Sequence, residues 1–414
     1  MTFPNVESEL LQEAATARDD EYRALVERAI REYELSLGQL PCSGFMASSS
    51  LGSLAEKRSP REATRLRHKG LEWIQQYPAG QLMKAMEARQ IADAYTNLAR
   101  FRTGPPADAL FVKAEQALAS TTPDRLGVFL LDQWADLLCQ WTDQERNSES
   151  DAIFSRAQQK FAEAQRLDPN KQERLLRYCQ ALRQRAGAIS GDRALELLAT
   201  ARAAAEELLS DDGRDATVWH FLGQAAVLEA QKRPGPGPDW RATADRCFEE
   251  ALKLRPDSAG GILCNWAAAL GVFAAERSGE EALELYGQAD EKFRESEKLK
   301  PASRALRKNW SSLLLREARE RGGSAELWER AGQQAEKANA IDPGSGAYNL
   351  ACIGVEVGDR EAVERWLVLS AEYGQIAPLS HILRDVEFES IRLEPWFRRL
   401  LDSIFDAGLA PAPE

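Results

Sequence analysis

ADEKFRESEKLKP, at residues 289–301, carries a pattern that returns along this chain of 414 residues. Its counterparts are AQQKFAEAQRLDP at 157–169, ADRCFEEALKLRP at 244–256 and AGQQAEKANAIDP at 331–343. Small residues flank a central apolar residue at spacings of four and three, which place all of them on one helix face. Proline then ends the helix, because it lacks an amide hydrogen and clashes with the preceding turn. Each copy therefore predicts one amphipathic helix with a fixed end.

The helix stops are evenly spaced. They stand at Pro78, Pro123, Pro169, Asp212, Pro256, Pro301 and Pro343, where Asp212 is a degenerate stop. The intervals are 45, 46, 43, 44, 45 and 42 residues. An interval of this length has room for two antiparallel helices, so the sequence predicts an all-α repeat array.

The first helix after each stop contains a second recurring element. A polar or aromatic residue precedes a large apolar one, and a small residue usually follows. The copies are QIADA at 90–94, QWADLL at 133–138, YCQAL at 178–182, FLGQA at 221–225, NWAAAL at 265–270, NWSSLL at 309–314 and NLAC at 349–352. Small residues let a neighbouring helix approach closely, whereas the large ones fill the space beside it.

Together the two elements resemble the tetratricopeptide repeat family over about residues 61–375. The family repeat has 34 residues, whereas the repeat here has about 44. The surplus falls between the two helices, as in 276–286, so either helix is extended or a short extra helix intervenes. The resemblance implies an all-α, right-handed superhelix (an α-solenoid) of about seven to eight antiparallel helix pairs, in which the first helices line a concave groove.

The segments outside the array have their own composition. We expect an N-terminal amphipathic helix within 1–40, a Ser/Gly-rich flexible loop at 41–60, capping helices at 376–405 and a disordered tail at 406–414. For 41–60 a passive linker is favoured over a regulatory phosphorylation loop. A second loop is expected at 232–238, between the two helices of one repeat.

Bulk composition narrows the class of function. The balance of 53 basic against 65 acidic residues gives a net charge of −12, which argues against nucleic-acid and anionic-membrane binding. No window approaches 18 consecutive apolar residues, so no membrane insertion is predicted. Six cysteines without CxxC spacing predict reduced thiols rather than zinc ligands. With no signal peptide at the start of the chain, the expected location is cytoplasmic.

Motifs for catalysis are missing from the sequence. It has no glycine-rich phosphate loop, no GxSxG elbow and no HExxH helix. Cys179 and His220 form the one conceivable nucleophile–base pair, but Cys179 occupies a large apolar position, which predicts burial rather than reactivity. We therefore predict a non-enzymatic protein that needs no cofactor and no metal.

The resemblance also implies which residues face a partner. These lie just before the Asn/Gln position of each first helix and three residues beyond it, with three asparagines added. They are Arg89, Asp93, Asp132, Asp136, Arg177, His220, Gln224, Lys308, Ser312, Tyr348, Asn265, Asn309 and Asn349. Family members that hold a terminal carboxylate use Lys, Arg and Asn on successive first helices, and Lys308 with Asn309 matches this chemistry. On the neighbouring first helices, however, Cys264 and Tyr348 occupy the positions at which a carboxylate site requires cations.

Two interpretations of these asparagines therefore stay open. They bind a partner's carboxylate, or they cap or bridge neighbouring helices. The expected function is a scaffold or adaptor that binds a peptide or a partner domain in the groove. The alternatives are a regulatory subunit of a separately encoded protease or kinase, and a self-assembling structural component. No residue pattern specifies the partner or the oligomeric state.

Overall fold

The computed structural model describes residues 19–36, 43–55, 60–76, 84–99, 104–120, 127–144, 149–168, 172–209, 214–233, 238–377 and 379–405. These residues are mostly helical and include no strand. They belong to two compact units, unit 1 within Met1–Asn170 and unit 2 within Lys171–Leu409. The predicted all-α class is confirmed.

Unit 1 has a leading helix followed by three helix pairs in its described residues. The helices are α1 (Asp19–Ser36), α2 (Ser43–Ala55), α3 (Pro60–Gln76), α4 (Lys84–Ala99), α5 (Pro105–Ala119), α6 (Gly127–Gln144) and α7 (Glu149–Leu167). The pairs are α2 with α3, α4 with α5 and α6 with α7, and each pair contacts the next. On α1, the buried Tyr22, Val26 and Ile30 join the core of the first pair. The earlier part of the predicted N-terminal helix lies outside the described residues.

The predicted flexible loop at 41–60 is wrong over Ser43–Ala55, which is a helix. Its Leu51 is fully buried. Serine and glycine serve here as small packing residues, because a Cβ on Gly70 of α3 would lie 2.7 Å from the Oγ of Ser48. Small side chains bring α2 and α3 together, so the helical array begins before the predicted boundary.

Unit 2 has five helix pairs and a C-terminal segment in its described residues. The helices are α8 (Gln172–Ala188), α9 (Asp192–Leu208), α10 (Ala216–Lys232), α11 (Trp240–Leu254), α12 (Ala259–Ala275), α13 (Gly279–Leu299), α14 (Arg304–Glu320), α15 (Ala325–Ile341), α16 (Ala347–Glu356), α17 (Arg360–Glu372), α18 (Leu379–Ile382) and α19 (Pro395–Phe405). Short 3₁₀ turns lie at Pro256–Ser258 and Val386–Phe388. With unit 1, the described pairs number eight, within the predicted range.

Consecutive pairs of unit 2 stack on one another. Each second helix contacts the first helix of the next pair, and neighbouring first helices also contact each other: α8 with α10, α10 with α12, α12 with α14 and α14 with α16. Among the described helices, no two second helices contact each other as extensively. The first helices therefore lie on the more crowded, inner side of a repeat solenoid. The handedness of its superhelix stays a prediction.

Long helices account for the period of about 44 residues. α12 has 17 residues and α13 has 21. The turn between them includes Gly279 with a φ of 68°, a left-handed conformation that favours glycine. Most of the surplus predicted at 276–286 belongs to α13. Extended helices are thus the correct alternative, and no extra helix intervenes in this repeat.

Second helices end where the proline pattern predicts. α11, α13 and α15 each end two residues before a proline, namely Pro256, Pro301 and Pro343. The predicted stops from Pro78 to Asp212 lie outside the described residues. Helix boundaries in this part of unit 2 are therefore set by local sequence.

The small–large–small face forms the core of unit 2. Phe248 and Phe293 are fully buried and stack on Trp266 and Trp310, with ring centroids 6.0 Å and 5.9 Å apart. A Cβ on Gly223 would lie 3.1 Å from the ring of Phe248, so the small residue permits this contact. Burial of each aromatic side chain contributes roughly 1.5–3 kcal/mol.

Three tryptophans of the first helices also link successive pairs. In these three, the indole N–H donates to a carboxylate on the preceding second helix. The pairs are Trp134 with Glu115 (3.0 Å), Trp266 with Asp245 (2.6 Å) and Trp310 with Asp290 (2.6 Å). Trp266 and Trp310 are buried, as predicted for core residues, whereas Trp134 is half-buried.

The segment predicted to cap the array at 376–405 packs on the last helices. α16 contacts the 3₁₀ turn Val386–Phe388, and α17 contacts α19. Phe388, Phe397 and Leu401 are buried there. These side chains cover the apolar face that the last pair would otherwise expose.

One described segment, Pro256–Ala275, is long and apolar enough to cross a membrane by length and composition alone. Its mean hydropathy is 1.4, and 61% of it is buried inside the protein. Buried residues such as Ile262, Leu270 and Phe273 belong to the core of unit 2. Packing by helices on several sides therefore accounts for its apolar character.

Candidate functional site

The residues predicted to face a partner fall into both units. In unit 1, Arg89 forms an ion pair with Asp93 at 3.5 Å, and its guanidinium lies 4.7 Å from the ring of Phe129. Asp136 is half-buried, whereas Asp132 is only 1% exposed. A groove position for Asp132 is therefore wrong, because its side chain is enclosed by protein. The remaining nine belong to unit 2, where Arg177 is half-buried on α8.

The asparagines of unit 2 bridge neighbouring first helices. The amide of Asn265 lies 2.8 Å from Nε2 of His220, and the amide of Asn309 lies 3.9 Å from Sγ of Cys264. Asn349 donates to the carbonyl oxygen of Lys308 and to Oγ of Ser312, each at 3.1 Å. The bridging alternative is thus the correct one for these amides, which connect α10 to α12, α12 to α14 and α14 to α16.

A polar cluster, called the Arg183 cluster, lies on three consecutive first helices. It consists of Arg183 on α8, His220 and Gln224 on α10, and Asn265 on α12. Gln224 Nε2 lies 3.5 Å from Nε2 of His220. Burial, together with the charge of Arg183, lowers the pKa of His220. The ring is therefore neutral at pH 7, and with Nε2 accepting from Asn265 its proton is on Nδ1.

A cleft of about 270 Å³ lies between α14, α16 and the C-terminal segment of unit 2. Four of the predicted residues, Lys308, Ser312, Tyr348 and Asn349, line it together. The other polar or small lining residues are Arg316, Gln375, Ala377, His381, Asp385 and Glu387. The repeat pattern thus located one wall of the cleft, and the capping segment supplies the other.

Asp385 organises the wall that the capping segment provides. Its Oδ2 accepts a hydrogen bond from Oη of Tyr348 at 2.6 Å, and its Oδ1 accepts one from the backbone N–H of Glu387 at 3.1 Å. His381 Nε2 lies 3.6 Å from the same carboxylate. Both carboxylate oxygens of Asp385 are therefore already engaged by the protein.

Glu387 shares a single cation with a second carboxylate. Arg319 Nε donates to Glu356 at 2.8 Å, while its Nη2 lies 2.9 Å from Oε2 of Glu387. That Oε2 is buried and accepts no hydrogen bond of good geometry. Burial raises the pKa of Glu387 to about 7; Arg319 and, more weakly, Arg316 oppose this rise, whereas Asp385 and Glu356 reinforce it.

Two cations of the cleft, Lys308 and Arg316, are exposed to solvent. Within the described part of the chain, neither Lys308 nor Arg316 forms an ion pair. Desolvation and the nearby charge of Arg304 lower the pKa of Lys308. Lys308 and Arg316 are eight residues apart on α14, so both project from one helix face. The cleft therefore offers cationic donors from Lys308 and Arg316, beside the unfilled Oε2 of Glu387.

The described cysteines are free thiols, mostly buried. Desolvation raises the pKa of Cys179 to about 12 and that of Cys264 to about 11, so neither is a thiolate at neutral pH. In the described ranges, no group of three or more His, Cys, Asp or Glu side chains could hold a metal ion. Cys179 is buried as its apolar repeat position predicts.

Several cleft residues escaped the sequence analysis. Arg316 could have been found, because it follows Lys308 by two helical turns and Ser312 by one. Gln375, His381 and Glu387 could not, since they belong to an irregular segment outside the repeat. Nothing in their spacing indicates which first helices they meet.

Comparison with known proteins gives no family. No family model matches the chain, and no curated protein is significantly similar to it. One similar solved structure is described as "Circular tandem repeat protein with novel repeat topology and enhanced subunit contact surfaces". It is 13% identical, with 98% of this chain and 95% of that chain covered and a TM-score of 0.23. At that TM-score the likeness says nothing about how the helix pairs are arranged.

Proposed function

We propose that this chain is a non-enzymatic scaffold that holds a peptide segment of a partner protein against the first helices of unit 2. The observation that carries the proposal is the cleft, where Lys308, Ser312, Tyr348 and Asn349 meet. A volume of about 270 Å³ suits one or two side chains rather than a folded domain. The partner is therefore anchored by side chains that project from a peptide.

We also infer that the repeats are extended tetratricopeptide repeats and that the protein acts in the cytoplasm. The first inference is supported by the buried face Ala244, Phe248 and Ala251, which precedes the stop at Pro256. The second is supported by five free cysteines among the described residues, as expected in a reducing compartment.

Selection from a random peptide library, with the full chain as target, tests the scaffold. Ala377 lines the cleft in a segment without helix, so Ala377→Trp fills the cleft with little effect on the repeats. Exposed Ala340 on α15 provides the matched control, Ala340→Trp. We expect selected peptides to bind Ala377→Trp at least about tenfold more weakly than the control. No enriched peptide, or equal affinity for the two variants, would refute the scaffold.

A further inference from the structure

We propose that the first helices of unit 2 recognise an acidic peptide segment at two points, the cleft with Lys308 and Arg316, and the Arg183 cluster. The inference rests on the proposed scaffold function and names the chemistry of its partner. Side-chain carboxylates of glutamate or aspartate are the groups that both points fit.

The first step is the state of the cations on the first helices. Arg183 is half-buried, forms no ion pair among the described residues, and has a buried Nε without a hydrogen-bond partner. Lys308 and Arg316 are exposed to solvent and also form no ion pair there. Desolvation lowers the pKa of Arg183 and of Lys308. Arg183 has lost water without gaining a counter-charge, so it favours an anionic ligand that restores the missing interaction. Lys308 and Arg316 add two exposed positive charges that a carboxylate can approach.

The second step concerns hydrogen-bond donors beside these cations. His220 has its Nε2 engaged by Asn265, and its Nδ1 donor has no acceptor among the described residues. Gln224 lies next to it on α10. In the cleft, Gln375 adds an amide side chain near Lys308. Each point thus combines a cation with neutral donors, an arrangement that suits a carboxylate.

The acidic wall of the cleft competes only in part for these cations. Asp385 is engaged by Tyr348 and by a backbone N–H, and Glu387 lies against Arg319. Glu387 also has a pKa of about 7, so its charge is only partial at neutral pH. An incoming carboxylate therefore meets Lys308 and Arg316, neither of which forms an ion pair among the described residues.

The third step is the distance between the two points. Arg183 lies on α8 and Lys308 on α14, and α8, α10, α12 and α14 contact one another in that order. Interaxial distances of 8–10 Å give a separation of about 25–30 Å. An extended peptide covers this with about eight residues. Between the points, α12 presents half-exposed Ala268 and Val272, so the middle of the peptide needs no charge.

Fluorescence anisotropy with labelled, acetylated and amidated peptides tests the inference. The probe carries two Glu-Glu pairs separated by about eight neutral residues. Its comparisons carry adjacent Glu pairs, Gln or Lys in place of Glu, or Gln with a free C-terminal carboxylate. The proteins are the full-length wild type, Arg183→Gln and Lys308→Gln. Arg246→Gln and Lys337→Gln serve as controls, since both residues are exposed on second helices.

The wide-spaced Glu peptide should bind more tightly than every comparison peptide. Arg183→Gln and Lys308→Gln should each weaken it about tenfold, the effect of losing a charge-assisted hydrogen bond, while the controls match the wild type. Circular dichroism should show the same helix content for all five proteins.

Three results would overturn the inference. The first is that the Gln peptide or the free-carboxylate peptide binds as tightly as the wide-spaced Glu peptide. The others are that Arg183→Gln and Lys308→Gln lose no more affinity than the control variants, or that single-stranded DNA binds more tightly than the wide-spaced Glu peptide. The experiments distinguish a failure of the scaffold proposal from a failure of the acidic-peptide inference. Library peptides that lose binding to Ala377→Trp but contain no acidic residues would leave the scaffold standing and remove the acidic partner.

Discussion

Glu387→Gln should stabilise the protein even though it removes a member of an ion pair. In the folded state, the pKa of this carboxyl rises from the ordinary 4.5 to about 7. The side chain is only 12% exposed, so solvent screens little of this effect. A raised pKa means that the stability present below pH 4.5 is lost as the pH rises through 7. Above pH 7 the ionised carboxylate destabilises the fold by about 3 kcal/mol.

The physical cause is that one guanidinium serves two acids. Arg319 is already bound by Glu356, so its attraction for Glu387 does not offset the burial of that carboxylate. Glutamine keeps the shape of the side chain and removes the charge. We therefore expect the variant to gain up to about 3 kcal/mol over wild type at pH 8, with the gain vanishing near pH 4.5.

Urea unfolding from pH 4.5 to pH 8.5, followed by tryptophan fluorescence and circular dichroism, measures the difference. Glu364→Gln is the control, because its ion pair with Arg360 is on the surface and should change stability by less than about 1 kcal/mol at any pH. A Glu387→Gln variant that is no more stable than wild type at pH 8, or a gain that stays constant with pH, would refute the reasoning.

Three further outcomes are expected. Trp310→Phe should lower the free energy of unfolding by about 2 kcal/mol, because a hydrogen bond to a carboxylate is lost; calorimetry measures this, and an unchanged midpoint would contradict it. Gly346→Ala should cost about 3 kcal/mol or more, since its Cβ would lie 1.9 Å from the carbonyl oxygen of Ala335. Its control, Gly332→Ala in the middle of α15, meets nothing closer than 3.8 Å and should gain about 1 kcal/mol. Finally, Glu387→Gln should tighten binding of the wide-spaced Glu peptide about fivefold at pH 8 and leave it unchanged at pH 5. The reason is that the substitution removes a negative charge from the cleft only at a pH at which Glu387 is ionised.

The sequence by itself determined the helix pairs of unit 2 and their buried faces. Phe248 and Phe293 are fully buried on the predicted helix faces, and α11 and α13 end just before the predicted prolines. These features are local: a helix face follows from spacing, and a helix end follows from a missing amide hydrogen. The loop that composition predicted is wrong over Ser43–Ala55, because the small residues there allow close packing of a helix.

Tertiary structure decided the site. Repeat position selected Lys308 and Tyr348 correctly as neighbours, but it could not show that Asn349 is occupied by bridging two helices or that Asp132 is enclosed. Repeat position also did not predict Glu387 as a cleft residue, because this residue belongs to a segment outside the repeats. The physical reason is that charge compensation and desolvation depend on which groups meet across helices that are distant in sequence, and neither follows from the order of residues along one helix.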